Sequence, residues 1–418
     1  MPGLMNPLRH QVPARSPLPF GAWVAGLAGA VVRFIPNVAD PRDLLADELG
    51  EEYGSTRVLL LGSGTQALEV ALRAARYLHE DTSPPVALPA YSCFDVAAAA
   101  IASHSPIRFY DLNPQTLAPN LESLERVFAQ GARTLVIAPL FGIPVDWDRL
   151  QRCLDRWAPV VVEDAAQGYG AFWRGKPVGS MGELAVLSFG RGKGWTGGGG
   201  GALLANSDRA AEVLDSVLRS DAAPKAPGLT RSISSASVGL ALWTLARPGV
   251  YRVPRSIPGL GLGETRYRPP EAIRWMPSFA AACARGSRQA AEKESTIRRA
   301  NAVELSRMAG TLDGADIISG PGGGVAGYLR LPVRVPGGMG GFSDVERARR
   351  LGAEAGYPSI LPALRAVADE VKPDDDGGAS NGDGIWPGAS SLVRELVTFP
   401  THSLTTRAEG EELVSLLS

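Results

Sequence analysis

From residue 57 to residue 164 the chain alternates short apolar runs with segments of helical pattern. The apolar runs, which read as buried strands, are RVLLL, VALPA, IRFYDL, TLVIAPLFG and PVVVEDAA. Between them apolar residues recur at helical spacing, as in TQALEVALRAARYL and WDRLQRCLDRW. This alternation predicts a largely parallel sheet with helices on both faces. The carboxyl ends of the strands then meet at one edge of the sheet, where ligands bind.

Residues 163–201 carry polar groups suited to a ligand at that edge. Asp164 ends the strand PVVVED, and Gln167 follows three residues later. Ser188 stands near the end of the apolar run ELAVLSF, and Lys193 lies five residues further on among glycines. A carboxylate at a buried strand end needs a cationic partner, and glycines let a backbone approach a ligand closely. A carboxylate for a pyridine nitrogen, a hydroxyl for a phosphate and an amine for a Schiff base together suit pyridoxal phosphate (PLP).

Two glycine patterns imitate nucleotide-binding motifs. Gly62-x-Gly64-x-x-Ala67 follows a strand as in a dinucleotide fingerprint, but the next strand, VALPAY, does not end in the required acid. Gly192-x-Gly194-x-x-Gly197 precedes GALLA, which reads as a strand and not as a helix. The glycine-flanked helix start at Gly64 is therefore interpreted as an anion site.

Residues 163–201 resemble the PLP site of the nucleotide-sugar aminotransferases of the DegT/StrS family. Enzymes of that family have the fold of type I PLP enzymes. That family shows the pattern E-D-A-A-Q-x-x-G-A, then G-x-x-V-G-S-x-G, then S-F-x-x-x-K. This chain has Glu163–Gln167, Val178–Ser180, Ser188–Phe189 and Lys193 in the same order and spacing. The match extends upstream to Gly64 and downstream to the C-terminus, so it covers most of the chain.

The resemblance implies an α/β fold, with a mostly parallel seven-stranded sheet sandwiched by helices and a small C-terminal α+β domain. We expect an N-terminal arm at 1–45, a large PLP-binding domain at 46–275 and a small domain at 276–418. The segment 221–275 departs from the family. Within the expected small domain, DVERARRLGAEAG has the pattern of a helix. Residues 369–384 are acidic and glycine-rich without apolar periodicity, which predicts a mobile loop near the substrate entrance.

The resemblance also implies roles for individual residues. Lys193 and Asp164 are the expected catalytic residues, Lys193 as the Schiff-base amine and Asp164 as the partner of the pyridine nitrogen. The other expected cofactor contacts are Gly64 and Thr65 at the phosphate, Ser188 at the phosphate and Gln167 at the ring oxygen. Arg191 either adds charge near the phosphate or faces solvent.

The residue that stacks on the pyridine ring is left open between two positions. The family places an aromatic residue there, in a P-x-aromatic-Thr-aromatic pattern. The sequence here is Pro89-Ala90-Tyr91-Ser92-Cys93-Phe94, so the ungapped match puts Cys93 at the stacking position. Phe94 takes the stacking position if the match shifts by one residue. Otherwise Tyr91 and Phe94 are ordinary aromatic residues of the core.

The implied activity moves an amino group from an amino acid, usually glutamate, to a keto sugar, usually nucleotide-linked, in polysaccharide or secondary-metabolite biosynthesis. One alternative is an aminotransferase for another ketone, such as a cyclitol or a lipid-linked intermediate. The altered segment 221–275 keeps this alternative open. The family's asparagine, which reaches the neighbouring subunit's phosphate, is missing there from Gly263–Arg268. A second alternative is a sugar dehydratase, although those relatives have histidine in place of the lysine. A third is a non-catalytic PLP-binding regulatory protein.

The net charge and the cysteine content indicate which binding partners and which cellular compartment to expect. The net charge of −1 gives no support for nucleic-acid binding. The three cysteines are far apart, which predicts neither a disulfide framework nor a metal site and fits the reducing cytoplasm. The apolar run FGAWVAGLAGAVV imitates a signal peptide but is too short to span a bilayer, so we interpret it as part of an arm. The resemblance implies a cytoplasmic homodimer.

Overall fold

The fold is described from a computed structural model of the chain. The structure describes residues 10–32, 35–79, 83–219, 223–227, 236–237, 240, 267–310, 314–368 and 384–417. Most of the segment 221–275, and all of 369–384 except its last residue, lie outside the described residues. The predictions made for those two segments therefore stay predictions.

The described residues form helices and strands in the following order. The helices are α1 (Phe20–Val32), α2 (Pro41–Tyr53), α3 (Gly64–Leu78), α4 (Phe94–Ala102), α5 (Leu121–Ala129), α6 (Trp147–Trp157), α7 (Asp208–Leu218), α8 (Ser278–Ala309), α9 (Val345–Arg350), α10 (Arg365–Ala368), α11 (Pro387–Glu395) and α12 (Arg407–Ser415). The strands are β1 (Arg57–Leu61), β2 (Val86–Pro89), β3 (Ile107–Tyr110), β4 (Thr134–Ile137), β5 (Val160–Asp164), β6 (Phe172–Trp173), β7 (Lys176–Pro177), β8 (Leu184–Ser188), β9 (Gly201–Ala205), β10 (Asp316–Ile317), β11 (Gly324–Val325), β12 (Leu331–Arg334), β13 (Glu354–Ala355) and β14 (Leu396–Phe399).

A seven-stranded sheet in the order β1-β9-β8-β5-β4-β2-β3 forms the centre of the fold. The pairs from β8 through β5, β4 and β2 to β3 are parallel. Strand β9 is antiparallel to both of its neighbours, β8 and β1, so it is the one strand of this sheet that runs the other way. This arrangement confirms the predicted α/β fold with a mostly parallel sheet.

The sheet is apolar along its strands because helices cover both of its faces. Strands β2 and β4 are buried at every residue. Helix α3 contacts β8 and β9 and buries Ala67, Ala71 and Ala75. A sheet covered in this way leaves the strand ends as the place where a ligand can enter.

Side-chain caps explain why several predicted helices begin where they do. Asp40 precedes α2 and accepts a hydrogen bond from the backbone N–H of Arg42 at 2.9 Å. Ser63 caps α3 by accepting from the N–H of Gln66 at 3.2 Å. Such caps each contribute about 1 kcal/mol to a helix. They hold the two helices on either side of β1 in place.

Two predicted elements are shorter than the sequence pattern suggested. The strand predicted over TLVIAPLFG ends at Ile137, and Leu140–Gly142 forms a 3-10 turn instead. The helix predicted over DVERARRLGAEAG ends at Arg350, because Gly352 takes a left-handed conformation with φ of 94°. Glu354–Ala355 then pairs with β14 as a short strand.

The C-terminal part contains an antiparallel sheet in the order β10-β12-β14-β13. Its apolar face packs with residues of α8 and α12, including Leu305 and Leu413. The large sheet and α11 are joined by Asp111, which follows β3 and accepts hydrogen bonds from the N–H groups of Gly388 at 2.9 Å and Ala389 at 2.7 Å. The domain limits at residues 45 and 275 stay a prediction.

The apolar run near the N-terminus forms α1, which packs on α8 through a face that includes Ala22, Gly26 and Gly29. The opposite face exposes apolar side chains. Within the described residues, no helix combines the length and apolar character that crossing a bilayer requires.

Candidate active site

The ends of two neighbouring strands bring the predicted acid and hydroxyl together. Strands β5 and β8 are paired in parallel, with Asp164 opposite Val186, so Asp164 and Ser188 end adjacent strands at the same edge. Asp164 is partly buried, and its Oδ1 accepts a hydrogen bond from the N–H of Ala166 at 3.2 Å. The predicted gathering of polar groups at this edge is therefore observed.

The start of β9 joins the helix start at Gly64 to Ser188. Gly201 is opposite both Leu61 and Ser188, so it lies between the ends of β1 and β8. A Cβ atom on Gly201 would lie 2.6 Å from the backbone nitrogen of Gly64, which leaves room for glycine alone. A Cβ atom on Gly64 would lie 2.9 Å from Cβ of Ser188. The first turn of α3 and the Ser188 hydroxyl thus form one cradle.

A cavity of about 470 Å³ opens at these strand ends. Residues of the large sheet's edge and of the glycine-rich loop line it together. Seven of the eight predicted site residues are among its lining residues, namely Gly64, Thr65, Cys93, Asp164, Gln167, Ser188 and Lys193. The first and the last of these residues, Gly64 and Lys193, are 129 positions apart in the chain.

The eighth predicted residue, Phe94, is not among the lining residues. Phe94 is the first residue of α4, and its ring is buried in the main apolar core. Cys93 precedes it and lines the cavity. Burial raises the pKa of the Cys93 thiol to about 12, so the thiol is protonated. Which of the two contacts a cofactor ring stays a prediction.

Burial dominates the electrostatics of Asp164. It raises the pKa of the Asp164 carboxyl above its ordinary value, while the Lys193 ammonium and the Ala166 N–H act in the opposite direction. Asp95, which lines the same cavity, adds to the increase in pKa by charge repulsion. A further cation beside Asp164 would therefore stabilise the ionised form of its carboxyl group.

The donor set of the cavity fits PLP. The N-terminal N–H groups of a helix lack partners within that helix, so they suit a phosphate, and α3 begins at Gly64 beside the Ser188 hydroxyl. Asp164 offers a carboxylate to a protonated pyridine nitrogen, and Lys193 offers an amine. No group of three His, Cys, Asp or Glu side chains suited to a metal ion is found in the described part of the chain.

Gln167 makes contacts that the sequence did not indicate. Its Oε1 accepts from the backbone N–H of Phe141 at 2.9 Å, and its Nε2 donates to the hydroxyl of Tyr357 at 2.6 Å. Phe141 has a φ of 57°, an uncommon conformation for a bulky residue and one that concentrates at functional sites. Tyr357 lies in a part of the chain to which sequence reasoning gave no role.

The N-terminal arm reaches the loop that carries the lysine. The hydroxyl of Ser16 donates to the carbonyl oxygen of Lys193 at 2.8 Å. Arg298 is fully buried behind this loop, and its Nη2 donates to the carbonyl oxygen of Arg15 at 2.6 Å. His402 Nε2 donates to the carbonyl oxygen of Val12 at 2.8 Å. The sequence gave no signal for these contacts, because they join distant segments.

Charged residues surround the mouth of the cavity. Arg191 lines it and is exposed, so both of the roles considered for this arginine stay predictions. Arg268 and Glu271 line it as well, and both are exposed. Arg268 is the described end of the segment Gly263–Arg268, whose other residues except Tyr267 lie outside the described part.

Comparison with known proteins identifies the same class of enzyme. Residues 40–233 match the model of the DegT/DnrJ/EryC1/StrS aminotransferase family. Seven of the eight predicted site residues line the cavity described above, and all eight lie within the matched range. The predicted resemblance to this family is confirmed.

Relatives and a solved structure agree with the family match. The L-glutamine:2-deoxy-scyllo-inosose aminotransferase of Streptomyces fradiae is 25% identical over 78% of this chain and 72% of its own length. A UDP-2-acetamido-2-deoxy-3-oxo-D-glucuronate aminotransferase of Pseudomonas aeruginosa is 27% identical over 44% of this chain and 50% of its own. The crystal structure of a DegT DnrJ EryC1 StrS aminotransferase from Brucella abortus superposes with a TM-score of 0.71 at 19% identity, over 95% of each chain.

The structural likeness shows the fold, and the family match to residues 40–233 shows the chemistry. The cavity residues fit the cofactor that this chemistry requires. Residues 40–233 of this chain match the DegT/DnrJ/EryC1/StrS aminotransferase family, and the protein is a PLP-dependent aminotransferase of fold type I.

Proposed function

We propose that this enzyme transfers an amino group from glutamate or its amide glutamine to a polyhydroxylated cyclic ketone, and that Lys193 and Asp164 carry the reaction. The acceptor is a keto sugar, nucleotide-linked in the first instance, or a keto cyclitol. The observation that supports this most directly is that Lys193, Asp164, Ser188 and Gly64 line one cavity. The named activities of the two relatives support both acceptor classes.

Lys193 is proposed to hold the cofactor through its amine and then to serve as the base. When bound, PLP supplies an electron-accepting ring that stabilises negative charge at the carbon next to the transferred nitrogen. With the amino donor bound in place of the Lys193 amine, Nζ of Lys193 would be the group that takes the proton from the donor's α-carbon. Lys193 lines the same cavity as Asp164. The loop that carries Lys193 would therefore provide both the attachment of the cofactor and the proton transfer.

Asp164 is proposed to keep the pyridine nitrogen protonated. Its carboxyl is partly buried, and burial raises its pKa while Lys193 opposes the increase. A cationic ring nitrogen beside it would favour the ionised carboxylate. The backbone N–H of Ala166 orients Oδ1 at 3.2 Å and leaves the second carboxylate oxygen for the ring.

The phosphate is proposed to lie between the first turn of α3 and the hydroxyl of Ser188. Gly64 and Thr65 contribute backbone N–H groups there, where the helix dipole favours negative charge. The absence of a Cβ atom at Gly64 keeps this cradle open, since that atom would lie 3.0 Å from the Ser188 hydroxyl oxygen.

The mouth of the cavity is proposed to receive the acceptor. Arg191 and Arg268 suit the phosphates of a nucleotide-linked sugar. Asp95 suits the hydroxyl groups of either a sugar or a cyclitol. The arginines thus favour a nucleotide-linked sugar, whereas Asp95 suits both acceptor classes, and the experiment below distinguishes the two.

Two other activities on this scaffold receive less support. A sugar dehydratase of this group is expected to have histidine where this chain has Lys193. A non-catalytic PLP-binding protein has no need of both Lys193 and Asp164 in one cavity.

The resemblance to the family supports a homodimer in the cytoplasm, which size-exclusion chromatography with light scattering and cell fractionation would check.

An absorption spectrum of the purified protein with PLP is the first test. Adding glutamate, and separately glutamine, should convert the visible band of lysine-bound PLP to the band of the aminated cofactor. Adding 2-deoxy-scyllo-inosose or a UDP-linked 3-keto sugar should then restore the visible band for the true acceptor class. A protein that binds PLP but responds to neither donor would contradict the proposed activity.

A further inference from the structure

The side-chain amide of Gln167 is fixed at both of its ends. Its Nε2 donates to the hydroxyl of Tyr357 at 2.6 Å, and its Oε1 accepts from the N–H of Phe141 at 2.9 Å. A glutamine amide carries two N–H donors and one carbonyl acceptor. Rotating the amide by half a turn would place an N–H against the N–H of Phe141, so only one orientation keeps both bonds. One N–H of Gln167 is then left for a ligand in the cavity that Gln167 lines.

Tyr357 is itself held by contacts with two aromatic residues. Its backbone N–H donates to the hydroxyl of Tyr91 at 2.7 Å, and the two rings lie 5.4 Å apart. Its ring also stacks with the ring of Phe141, with the centroids 6.3 Å apart. A Cβ atom on Gly356 would lie 2.0 Å from the Tyr91 hydroxyl oxygen, so this close approach requires glycine before Tyr357.

The hydroxyl of Tyr357 is a neutral phenol. Burial, followed by the neighbouring Cys93, raises its pKa well above the ordinary tyrosine value. It therefore accepts the hydrogen bond from Gln167 and keeps its own hydrogen. Its hydroxyl contacts Gln167, which lines the cavity, whereas Tyr357 is not among the lining residues.

We propose that Tyr357 is a positioning residue for the cofactor site, which fixes the Gln167 amide so that its remaining N–H is presented to the phenolic oxygen of PLP. The inference rests on the proposed function, because it assigns Gln167 to the cofactor. Tyr357 follows β13, a strand of the C-terminal sheet. The position of that sheet is thereby coupled to how the large sheet holds its cofactor.

The test compares the PLP-loaded Tyr357→Phe variant with the native enzyme. The variant keeps the aromatic ring and its packing, and it removes only the hydroxyl that accepts from Gln167. We expect the dissociation constant for PLP to rise about fivefold, since one net hydrogen bond is lost. The pH at which the visible band of bound PLP titrates should shift as well. The matched control is Tyr110→Phe, which removes a buried hydroxyl that donates to the carbonyl oxygen of Val136 at 2.7 Å.

A double-mutant cycle distinguishes positioning from general destabilisation. Gln167→Ala should weaken PLP binding, and adding Tyr357→Phe to it should have no further effect on the dissociation constant or on the spectral titration. Additive effects, or a Tyr357→Phe enzyme identical to the native one, would overturn the inference. A native enzyme without any visible PLP band would instead overturn the proposed function, so the two failures are distinguishable.

Discussion

The hydroxyl of Ser16 donates a hydrogen bond to the backbone carbonyl oxygen of Lys193, at 2.8 Å. The two residues are 177 positions apart in the chain. Arg298 donates to the neighbouring carbonyl of Arg15, so the arm is held next to the loop on which the catalytic lysine lies. The arm therefore restrains the loop that carries Lys193.

Removing the Ser16 hydroxyl should loosen the lysine loop. We expect Ser16→Ala to lower kcat several-fold, because one hydrogen bond worth about 1 kcal/mol no longer restrains the loop. Steady-state kinetics with the donor and acceptor would measure the change. The control is Ser343→Ala, which removes a comparable bond to the carbonyl oxygen of Leu416 at 3.1 Å. Equal kinetics in both variants would contradict a role for the arm.

Lys193→Ala should abolish transamination while the protein keeps its fold. The amine is needed both to hold the cofactor and to move the proton, and among the described residues no other lysine lines the cavity. Turnover, circular dichroism and the visible PLP band would be measured together. Lys176→Ala is the control, since Lys176 is exposed and lies outside the cavity. Turnover at the native rate in the Lys193 variant would disprove its assignment.

Asp164→Asn should retain PLP but lose about 10²- to 10⁴-fold in kcat, because an amide cannot keep the ring nitrogen protonated. Removing one member of a buried ion pair costs about 3–5 kcal/mol, which sets this range. Single-turnover kinetics with the amino donor would isolate the affected step. Asp208→Asn, at an exposed position in the first turn of α7, should change nothing. A native-like rate would mean that the Asp164 carboxylate is structural only.

Gly64→Ala should weaken PLP binding by filling the cradle. The added Cβ would lie 2.9 Å from Cβ of Ser188. Titration of the apo protein with PLP should show a dissociation constant raised about tenfold or more, as expected for overpacking that costs about 1–3 kcal/mol. Gly21→Ala, at a helix start with no atom within 4 Å of the added Cβ, is the control. If both variants bind PLP equally well, the phosphate does not lie in this cradle.

Glu163 should make stability depend on pH. It is fully buried beside Asp164 in β5, and burial raises its pKa to about 7 from 4.5. Between those two values the folded protein keeps a proton that the unfolded chain has released, so the free energy of unfolding falls as pH rises. The loss is complete above a pH of about 7 and amounts to at most about 3 kcal/mol.

Urea unfolding of the native protein and of Glu163→Gln, at about pH 5 and about pH 8, would measure this effect. Gln keeps the acceptor for the N–H of Met181, which lies 3.1 Å from Oε2, and it does not titrate. The native protein should lose more stability than the variant between the two pH values. His402, whose pKa burial lowers to about 3, affects both proteins alike, so their difference reports Glu163. Parallel curves would show that Glu163 does not titrate in this range.

Sequence patterns alone predict the alternation of strands and helices, the parallel sheet and the order of the cofactor motif. Those features are local: Asp164 is at the end of an apolar run and Lys193 lies among glycines, whatever the rest of the chain does. Local pattern also predicted β1, α3 and β8 at the residues where they are found. It overextended the helix after Asp344, because pairing with β14 overrides helical periodicity at Glu354–Ala355.

Tertiary structure alone decided which distant groups complete the site. The contacts of Ser16 with Lys193 and of Tyr357 with Gln167 join residues 177 and 190 positions apart, and no periodicity or motif records such pairs. The same holds for the closeness of Gly64 and Ser188, which depends on a reversed strand lying between β1 and β8. A pattern reports what one element prefers, whereas the distance between two side chains depends on how all the elements pack.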